Sequence, residues 1–361
     1  MAEGYVIRAD GNSNIGAGHL MRCLTIAEEL KECIGPGDKI IFVCADKDGA
    51  SLVENRGFTA CCLDTAYDRM DAETASLEQA FHQIAKDGLK LKWILVDSYY
   101  ITDEYVAFLS RFAKVAVMDD LAEKPRRSDL VINYNLYAKE AYENMPGKEI
   151  LKETLLGAAY VPLRRQFQGC VKNENLSDGQ SPMEGQKHQV ENVLITTGGA
   201  DQDNIGGRIL EKLAVKYDTI KFHLVAGRYH PQIRWLWALA DERENIEIHV
   251  DVQDMASLMK QCDLSITAGG TTIYELCAMG VPLVCFSYAK NQEQLCAYME
   301  KLVGNCYAGE WHNNQPKTME KLCEIFEQMY ENEDLRKQAG IKQMLAVDGM
   351  GAGRIAKRLA E

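Results

Sequence analysis

The sequence predicts an α/β protein built from two Rossmann-type units, each a parallel sheet covered by helices. Three observations predict this fold class. Short apolar runs alternate with helical patterns along most of the chain, as expected for strand–helix repeats. A polar stretch near residue 180 interrupts the alternation. The 361 residues are enough for two domains of ordinary size.

Eleven apolar runs are candidate strands, and helical patterns such as Leu20–Cys33 and Ala72–Lys86 lie between most of them. The first six are Tyr5–Arg8, Ile40–Cys44, Thr59–Leu63, Trp93–Asp97, Val115–Met118 and Leu130–Ile132. The other five are Val193–Thr197, Phe222–Ala226, Ile246–Val250, Leu264–Thr267 and Leu283–Phe286. The final stretch, Met319–Glu361, is predicted to be helical, with one helix a candidate to cross back onto the first domain.

The polar stretch divides the chain into domains. We predict an N-terminal domain over residues 1–170 and a linker over 171–190, where VKNENLSDGQSPMEGQKHQV contains two glycines and a proline. The C-terminal domain is predicted over 191–361, including the helical tail. We expect the two domains to face a central cleft, with ligands beyond the carboxyl ends of the strands.

Composition limits the possible functions. The chain is 47% hydrophobic and 26% charged, which is ordinary for a folded domain. Its net charge of -13 argues against nucleic acid as a partner. Neither a signal peptide nor an apolar run long enough for stable membrane insertion is seen. The twelve cysteines include no C-x-x-C pair, so we expect reduced thiols and a cytoplasmic location.

A glycine-rich loop follows the first predicted strand, in the sequence RADGNSNIGAGHLMRCLTIAEEL. Gly11, Gly16 and Gly18 allow close approach of a ligand to the backbone, and the helix that starts near His19 adds free N–H groups. These features suit a diphosphate or an anionic transition state. The loop has neither the G-x-G-x-x-G fingerprint nor a P-loop, so a tight turn without a ligand remains an alternative.

His19 is the candidate catalytic residue. The positive end of the helix dipole disfavours the protonated form of a histidine in the first turn. A neutral imidazole can accept a proton, as a general base acting on water must. From local sequence alone, a histidine that caps the turn or packs against the sheet is an equal alternative.

A second loop of similar type lies between Ala268 and Gln294, in AGGTTIYELCAMGVPLVCFSYAKNQEQ. Its glycines end a strand, its two threonines can cap the next helix while offering hydroxyls to phosphate, and its glutamate can accept hydrogen bonds from a ribose. An ordinary strand–turn–helix with a solvated glutamate is the alternative. The candidate nucleotide-binding residues, with one glycine after the Val193–Thr197 strand, are Gly199, Gly269, Gly270, Thr271, Thr272 and Glu275.

The string GGTTIYELCAMGVPLV resembles the nucleotide-sugar motif of GT-B glycosyltransferases, especially the undecaprenyl-diphospho-muramoylpentapeptide N-acetylglucosaminyltransferase type. The resemblance implies a GT-B-like fold. It also implies that the glycines and hydroxyls of this motif contact a diphosphate, and that Glu275 holds the ribose.

The N-terminal string R-A-D-x-x-x-x-I-G-x-G-H-x-M-R-C-L closely resembles the UDP-2,4-diacetamido-2,4,6-trideoxy-β-L-altropyranose hydrolases of pseudaminic acid biosynthesis and related spore-coat polysaccharide proteins. Further matches, such as VDSYYI, MDDLAEKPRRSDLVIN and ITTGGADQDN, extend the resemblance over about residues 5–305. It implies that His19 is the base for water. The implied substrate-binding residues are Gly16, Gly18, Arg22, Asp97, Tyr99, Asn291 and Gln292.

The implied reaction is hydrolysis of a UDP-linked diacetamido-trideoxy sugar at its anomeric carbon, with no cofactor and no metal. The Asp201-x-Asp203 pair is interpreted as a helix start that involves Asp203, not as a manganese site. The family often has D-H-Y where this chain has Ser98 after Asp97, which leaves the sugar undefined. A GT-B glycosyltransferase and a non-catalytic nucleotide-sugar-binding protein are the alternatives. We expect a UDP-sugar as the partner, and a monomer or weak homodimer.

Overall fold

The structure is a computed structural model that describes residues 2–12, 14–169, 189–198, 201–227 and 230–361. The chain forms two compact units. One comprises Met1–Arg164 together with Met350–Glu361, and the other comprises Arg165–Gly349. Because most of 171–190 lies outside the described residues, the division into 1–170, a linker and 191–361 stays a prediction.

The first unit contains a seven-stranded parallel sheet in the order β3-β2-β1-β4-β5-β6-β7. Its strands are β1 (Ala2–Ala9), β2 (Lys39–Cys44), β3 (Thr59–Cys62), β4 (Leu89–Asp97), β5 (Lys114–Met118), β6 (Leu130–Asn133) and β7 (Thr154–Leu156). Its helices, up to residue 164, are α1 (Gly18–Cys33), α2 (Lys47–Glu54), α3 (Thr74–Lys86), α4 (Asp103–Leu109) and α5 (Ala138–Glu143). The six strands predicted in this half are confirmed, and β7 was not predicted.

The strand order reverses beside β1, which lies between β2 and β4. At such a switch point the loops that leave neighbouring strands diverge and open a crevice. Ala9 at the end of β1 pairs with Asp97 at the end of β4. The strands are held by a continuous apolar core that includes Val6, Ile94 and Val117, so these two strand ends are fixed relative to each other.

The second unit contains a six-stranded parallel sheet in the order β10-β9-β8-β11-β12-β13. Its strands are β8 (Asn192–Thr196), β9 (Lys221–Ala226), β10 (Ile246–Val250), β11 (Leu264–Ala268), β12 (Leu283–Ser287) and β13 (Tyr307–Glu310). In the described part of this unit the helices are α6 (Ile205–Lys216), α7 (Ile233–Asp241), α8 (Met255–Met259), α9 (Thr272–Met279), α10 (Lys290–Val303), α11 (Gln315–Glu331) and α12 (Glu333–Ala346). The five strands predicted here are confirmed, and β13 was not predicted.

The last helix, α13 (Gly351–Ala360), is part of the first unit, where it packs on α1. Arg358 binds Glu153 through two N–H···O bonds of 2.5 Å. Gly351 is required at the start of this helix, because a Cβ there would lie 2.3 Å from the carbonyl oxygen of Val161. Within the described ranges, no helix has the length and apolarity needed to cross a bilayer.

Candidate active site

The loop after β1 is held in shape by its own polar side chains. Asp10 accepts hydrogen bonds from the backbone N–H of Ala45 (2.7 Å) and from Nη1 of Arg8 (2.6 Å). The amide oxygen of Asn12 accepts from the backbone N–H groups of Asn14 and Ile15 at 2.9 and 3.2 Å. Side chains that bond to nearby backbone in this way fix a turn. These hydrogen bonds hold the described residues on either side of position 13 in place before α1.

The two glycines of the G-x-G sequence have different roles. Gly16 has a φ of +72°, in the left-handed region that favours glycine. Gly18 has no such φ, and a Cβ added there would meet no atom within 4 Å. The described backbone thus does not require glycine at 18. Because Gly18 has no side chain, the space at the start of the helix stays open.

Within the described residues, the first turn of α1 has no side-chain cap at this opening. The residue before the helix is Ala17, which makes no side-chain cap, and the first turn contains no acidic residue. The first amides of a helix have no carbonyl partner within it and carry the positive end of its dipole. An anionic group can therefore be accommodated beside Gly18.

His19 forms a hydrogen-bonded pair with a buried carboxylate. Its Nδ1 lies 2.7 Å from Oδ1 of Asp97, and the two residues are only 9% and 1% exposed. An ionised carboxylate can only accept, so we assign the proton to Nδ1. In the neutral ring, Nε2 is then the nitrogen able to accept a proton. The half-exposed ring of Tyr99 contacts the imidazole edge-on, with centroids 4.5 Å apart.

Arg22 follows His19 by three residues, on the same side of α1, and binds the same carboxylate. Its Nε donates to Oδ2 of Asp97 at 2.5 Å, and a second N–H donates to Oδ1. Its Nη2 also lies 2.9 Å from Nδ1 of His19. In this assignment Nη2 of Arg22 and Nδ1 of His19 are both donors, so they do not bond to each other. They lie close together because both donate to Asp97.

Charge pairing fixes the ionisation of this network. Burial alone would raise the pKa of Asp97, but Arg22 and His19 outweigh it and hold that pKa well below its usual range. Burial likewise opposes the charge of Arg22, whereas Asp120 and Asp97 raise its pKa well above the ordinary value. Asp97 therefore stays an acceptor and Arg22 a donor.

Two further residues of the His19–Asp97–Arg22 network follow the ends of strands β5 and β6. Nη1 of Arg22 donates to Asp120 (2.5 Å), just after β5, and to the hydroxyl of Tyr134 (2.6 Å), just after β6. Oδ1 of Asp120 is buried and has no hydrogen-bond partner in the described part of the chain. The sequence prediction did not include either residue. Asp120 lies in the MDD string, but no local pattern connected it with Arg22.

A second buried ion network stabilises β1 beneath the loop. Nε and Nη2 of Arg8 each donate to Glu73 at 2.7 Å, and both residues are essentially unexposed. The hydroxyl of Tyr105 also donates to Glu73. Burial opposes the charge of Arg8, but Glu73 and Asp10 raise its pKa far above the ordinary value. Because a buried charge without its partner is strongly unfavourable, this network supports the end of β1 from which the loop departs.

In the second unit, the predicted nucleotide motif links β11 to α9, but its two glycines differ. A Cβ on Gly269 would lie 2.5 Å from Sγ of Cys296 and 2.8 Å from Cβ of Gln292. Close packing against α10 therefore requires glycine at 269. A Cβ on Gly270 would meet nothing within 4 Å, so Gly270 leaves open space at the helix start.

Thr271 of the motif does not cap α9. Thr271 is the N-cap residue of α9, but its side chain makes no capping hydrogen bond. Its helical φ and ψ of -56° and -26° differ from the extended conformation of a usual N-cap, so the predicted capping role of Thr271 is wrong. The first amides of α9 thus lack this cap. Glu275 lies in the first turn and is partly buried.

The remaining candidates of this unit lie at other strand ends. Gln292 accepts a hydrogen bond from the backbone N–H of Tyr288 at 2.8 Å, which gives its side chain a structural role. Asn291 is exposed at the first turn of α10. Gly199 lies outside the described residues.

The helix start after β8 uses a different aspartate from the one predicted. Asp201 accepts from the backbone N–H groups of Ile205 (2.8 Å) and Gly206 (2.9 Å), and from the hydroxyl of Thr197. Asp203 is exposed. Asp203 does lie at the helix start, two residues before α6, but Asp201 is the side chain that accepts from the first amides. The backbone of Asp201 has a φ of +33°.

The comparison with protein families finds the glycosyltransferase family 28 C-terminal domain over residues 181–358. An uncharacterized protein of Methanocaldococcus jannaschii is 25% identical over 82% of this chain, which spans 58% of that protein. The UDP-2,4-diacetamido-2,4,6-trideoxy-beta-L-altropyranose hydrolase of Campylobacter jejuni is 24% identical, covering 82% of this chain and 96% of its own. Spore coat polysaccharide biosynthesis protein SpsG of Bacillus subtilis is 25% identical, covering 79% and 78%.

Solved structures resemble the chain over nearly its full length. MurG of Acinetobacter baumannii has a TM-score of 0.65 at 15% identity, with 99% of each chain covered. UDP-GlcNAc 2-epimerase of Neisseria meningitidis has a TM-score of 0.62 at 12% identity, covering 98% of this chain and 99% of its own. The fold is therefore α/β and GT-B-like, as predicted, and residues 181–358 resemble the glycosyltransferase family 28 C-terminal domain.

Proposed function

We propose that this chain is an enzyme that acts on nucleotide-linked sugars, and that it hydrolyses a UDP-linked diacetamido-trideoxy sugar at the anomeric carbon. The observation that carries the proposal is the hydrogen bond between His19 Nδ1 and Asp97 at an open helix start. The name and 96% coverage of the Campylobacter jejuni relative support the choice of reaction. No cofactor or metal takes part in it.

His19 is the general base in this proposal. Its Nε2 accepts a proton from water while the water oxygen forms a bond to the anomeric carbon. The bond from that carbon to the diphosphate oxygen breaks, and UDP leaves with the electron pair. Asp97 stabilises the imidazolium through Nδ1–H. Base catalysis of this kind contributes about 10²–10⁴ in rate.

Arg22 acts as a positioning residue. It holds both oxygens of Asp97, and Asp120 and Tyr134 hold Arg22 in turn. The carboxylate therefore cannot rotate away from His19. This network keeps Nδ1 protonated and Nε2 directed away from Asp97.

The second unit binds the nucleotide in this proposal. The amides that begin α9 and the open space at Gly270 suit the diphosphate, and they stabilise the negative charge that grows on it as it leaves. Glu275 in the first turn accepts hydrogen bonds from the ribose hydroxyls. A diphosphate is a good leaving group, so no strong general acid is needed.

Glycosyl transfer is the second candidate function. The family 28 C-terminal domain match and the likeness to MurG favour it. The His19–Asp97 pair can activate an acceptor hydroxyl as well as water. A protein that binds nucleotide sugars without turnover is the third candidate, and it gives the catalytic pair no role.

A panel of UDP- and other nucleotide-linked diacetamido sugars tests the proposal. Purified protein is incubated with each compound, with and without candidate acceptors, and free UDP is measured. Release without acceptor supports hydrolysis, whereas release only with acceptor selects transfer. Binding without release in either condition selects the non-catalytic function.

A further inference from the structure

The two outer strands of the second sheet bring together two histidines and a carboxylate. His223 on β9 is the register partner of Glu247 on the edge strand β10. His249 follows Glu247 by two residues, so its side chain lies on the same face. All three lie within the strands, away from the loops that carry the proposed nucleotide site.

The distances among their donor atoms fit a metal coordination shell. Nδ1 of His223 lies 3.1 Å from Nε2 of His249, and Glu247 oxygens lie 3.7 and 3.6 Å from these nitrogens. Zinc bonds to nitrogen and oxygen of about 2.0–2.2 Å give a tetrahedral edge of about 3.4 Å. One ion can therefore contact all three groups after small side-chain adjustments.

An outer hydrogen bond presents the correct nitrogen of His223. Its Nε2 lies 3.1 Å from Oδ1 of Asn192 on β8. The amide oxygen accepts, so we assign the proton of the neutral ring to Nε2 and the lone pair to Nδ1. Such a partner typically orients metal-binding histidines. His223 thus directs an available lone pair toward His249 and Glu247.

The exposure of the cluster also suits a metal. Lys221 forms a 2.5 Å ion pair with Glu247. The Lys221 and Glu247 side chains are 49% and 42% exposed, so Lys221 can move away when another cation binds.

We propose that His223 Nδ1, His249 Nε2 and the Glu247 carboxylate bind one divalent transition-metal ion of the zinc class. Two imidazoles and one carboxylate favour zinc or cobalt over magnesium and calcium, which prefer all-oxygen sites. Water takes the fourth position. The ion joins the edge strand β10 to β9 and stabilises that side of the sheet. This site is independent of the proposed hydrolysis.

The test is a titration of tag-free, chelator-treated protein with Zn²⁺ and with Co²⁺, whose visible spectrum reports tetrahedral coordination. We expect one ion per chain, and an increase in melting temperature with Zn²⁺ but not with Mg²⁺. His249→Ala and Glu247→Gln should each weaken binding at least about tenfold. Glu247→Gln keeps the shape of a half-exposed side chain, so it remains informative if His249→Ala does not fold.

Two matched controls remove a histidine elsewhere. His82→Ala changes an exposed residue of α3 in the first unit. His312→Ala disrupts a second group of possible ligands, with Glu293 and Glu310. Both should keep the ion. The proposal is overturned if the unaltered protein binds no ion stoichiometrically, if His249→Ala and Glu247→Gln bind as well as it does, or if only His312→Ala loses binding.

Discussion

Nδ1 of His19 lies 2.7 Å from Oδ1 of Asp97, although 78 positions separate the two residues in the chain. The relationship follows from the sheet order, because His19 lies in the first turn of the helix after β1 and Asp97 ends the adjacent strand β4. An imidazole joined to an ionised, buried carboxylate has one protonated and one basic nitrogen. The predictions that concern catalysis depend on this pair.

His19→Asn should lower the rate of UDP release by about 10²–10⁴, because it removes the proposed base. The affinity for UDP should stay within about twofold, since the proposed nucleotide site is in the second unit. UDP release and calorimetric binding measure the two effects. His82→Asn, at an exposed position on α3, is the control and should keep full activity. Near-normal turnover of His19→Asn would exclude His19 as the base.

The pKa of Asp97 predicts a pH dependence of stability. Its folded pKa lies well below the unfolded value of about 3.9. The unfolded state therefore binds more protons in acid, so this contribution is complete above about pH 4 and is lost as the pH falls toward the folded pKa.

Unfolding of the unaltered protein and of Asp97→Asn, followed between pH 6 and pH 3, measures this contribution. The stability difference between the two proteins should shrink as the pH falls, because only the unaltered protein loses the contribution of Asp97. The other carboxyl groups titrate in both proteins and cancel in the difference. A difference that stays constant across this range would show that Asp97 is not held ionised by Arg22 and His19.

The neighbouring glycines 269 and 270 should respond differently to alanine. Gly269→Ala should destabilise the protein by about 1–3 kcal/mol, because the new Cβ would overlap Cys296 and Gln292. Gly270→Ala should leave the melting temperature nearly unchanged and weaken UDP binding, since its Cβ would occupy open space at the start of α9. Thermal unfolding and UDP titration distinguish the two. Unchanged UDP affinity in Gly270→Ala would argue against a diphosphate at this helix start.

Glu275→Gln should weaken UDP binding by about 1.5–3 kcal/mol, the usual range for hydrogen bonds to a charged group. The same variant should affect 2′-deoxy-UDP less, because one proposed partner of the carboxylate is then missing. Titrations of both proteins with both nucleotides form a double-mutant cycle. Equal losses for the two nucleotides would place Glu275 away from the 2′-hydroxyl.

Much of the fold could be predicted because buried parallel strands are continuous apolar runs. Strands such as β1 and β4 carry that signal. The two that were missed, β7 (Thr154–Leu156) and β13 (Tyr307–Glu310), are short strands at the sheet edges. In β13, Gly309 interrupts the run of apolar residues that would indicate a strand, and its φ of +115° departs from strand geometry. Edge strands bury less apolar surface, so their sequences carry less information.

The candidate site was predictable where its parts are neighbours in sequence. Gly16, Gly18 and His19 lie in one loop, and the helix start follows directly. The contacts of Arg22 with Asp120 and Tyr134 span 98 and 112 positions and arise only from the sheet order. The packing need for Gly269 likewise depends on Cys296 in another helix. Such relationships require tertiary structure.

The most direct test of the central claim is the reaction of a UDP-linked diacetamido sugar in water labelled with heavy oxygen, without acceptor. Mass spectrometry of the released UDP identifies the bond that breaks. Attack by His19-activated water at the anomeric carbon predicts release of unlabelled UDP, and loss of that release in His19→Asn. Label in the UDP would show attack at phosphorus, and release only after acceptor is added would show transfer; either result would contradict the account.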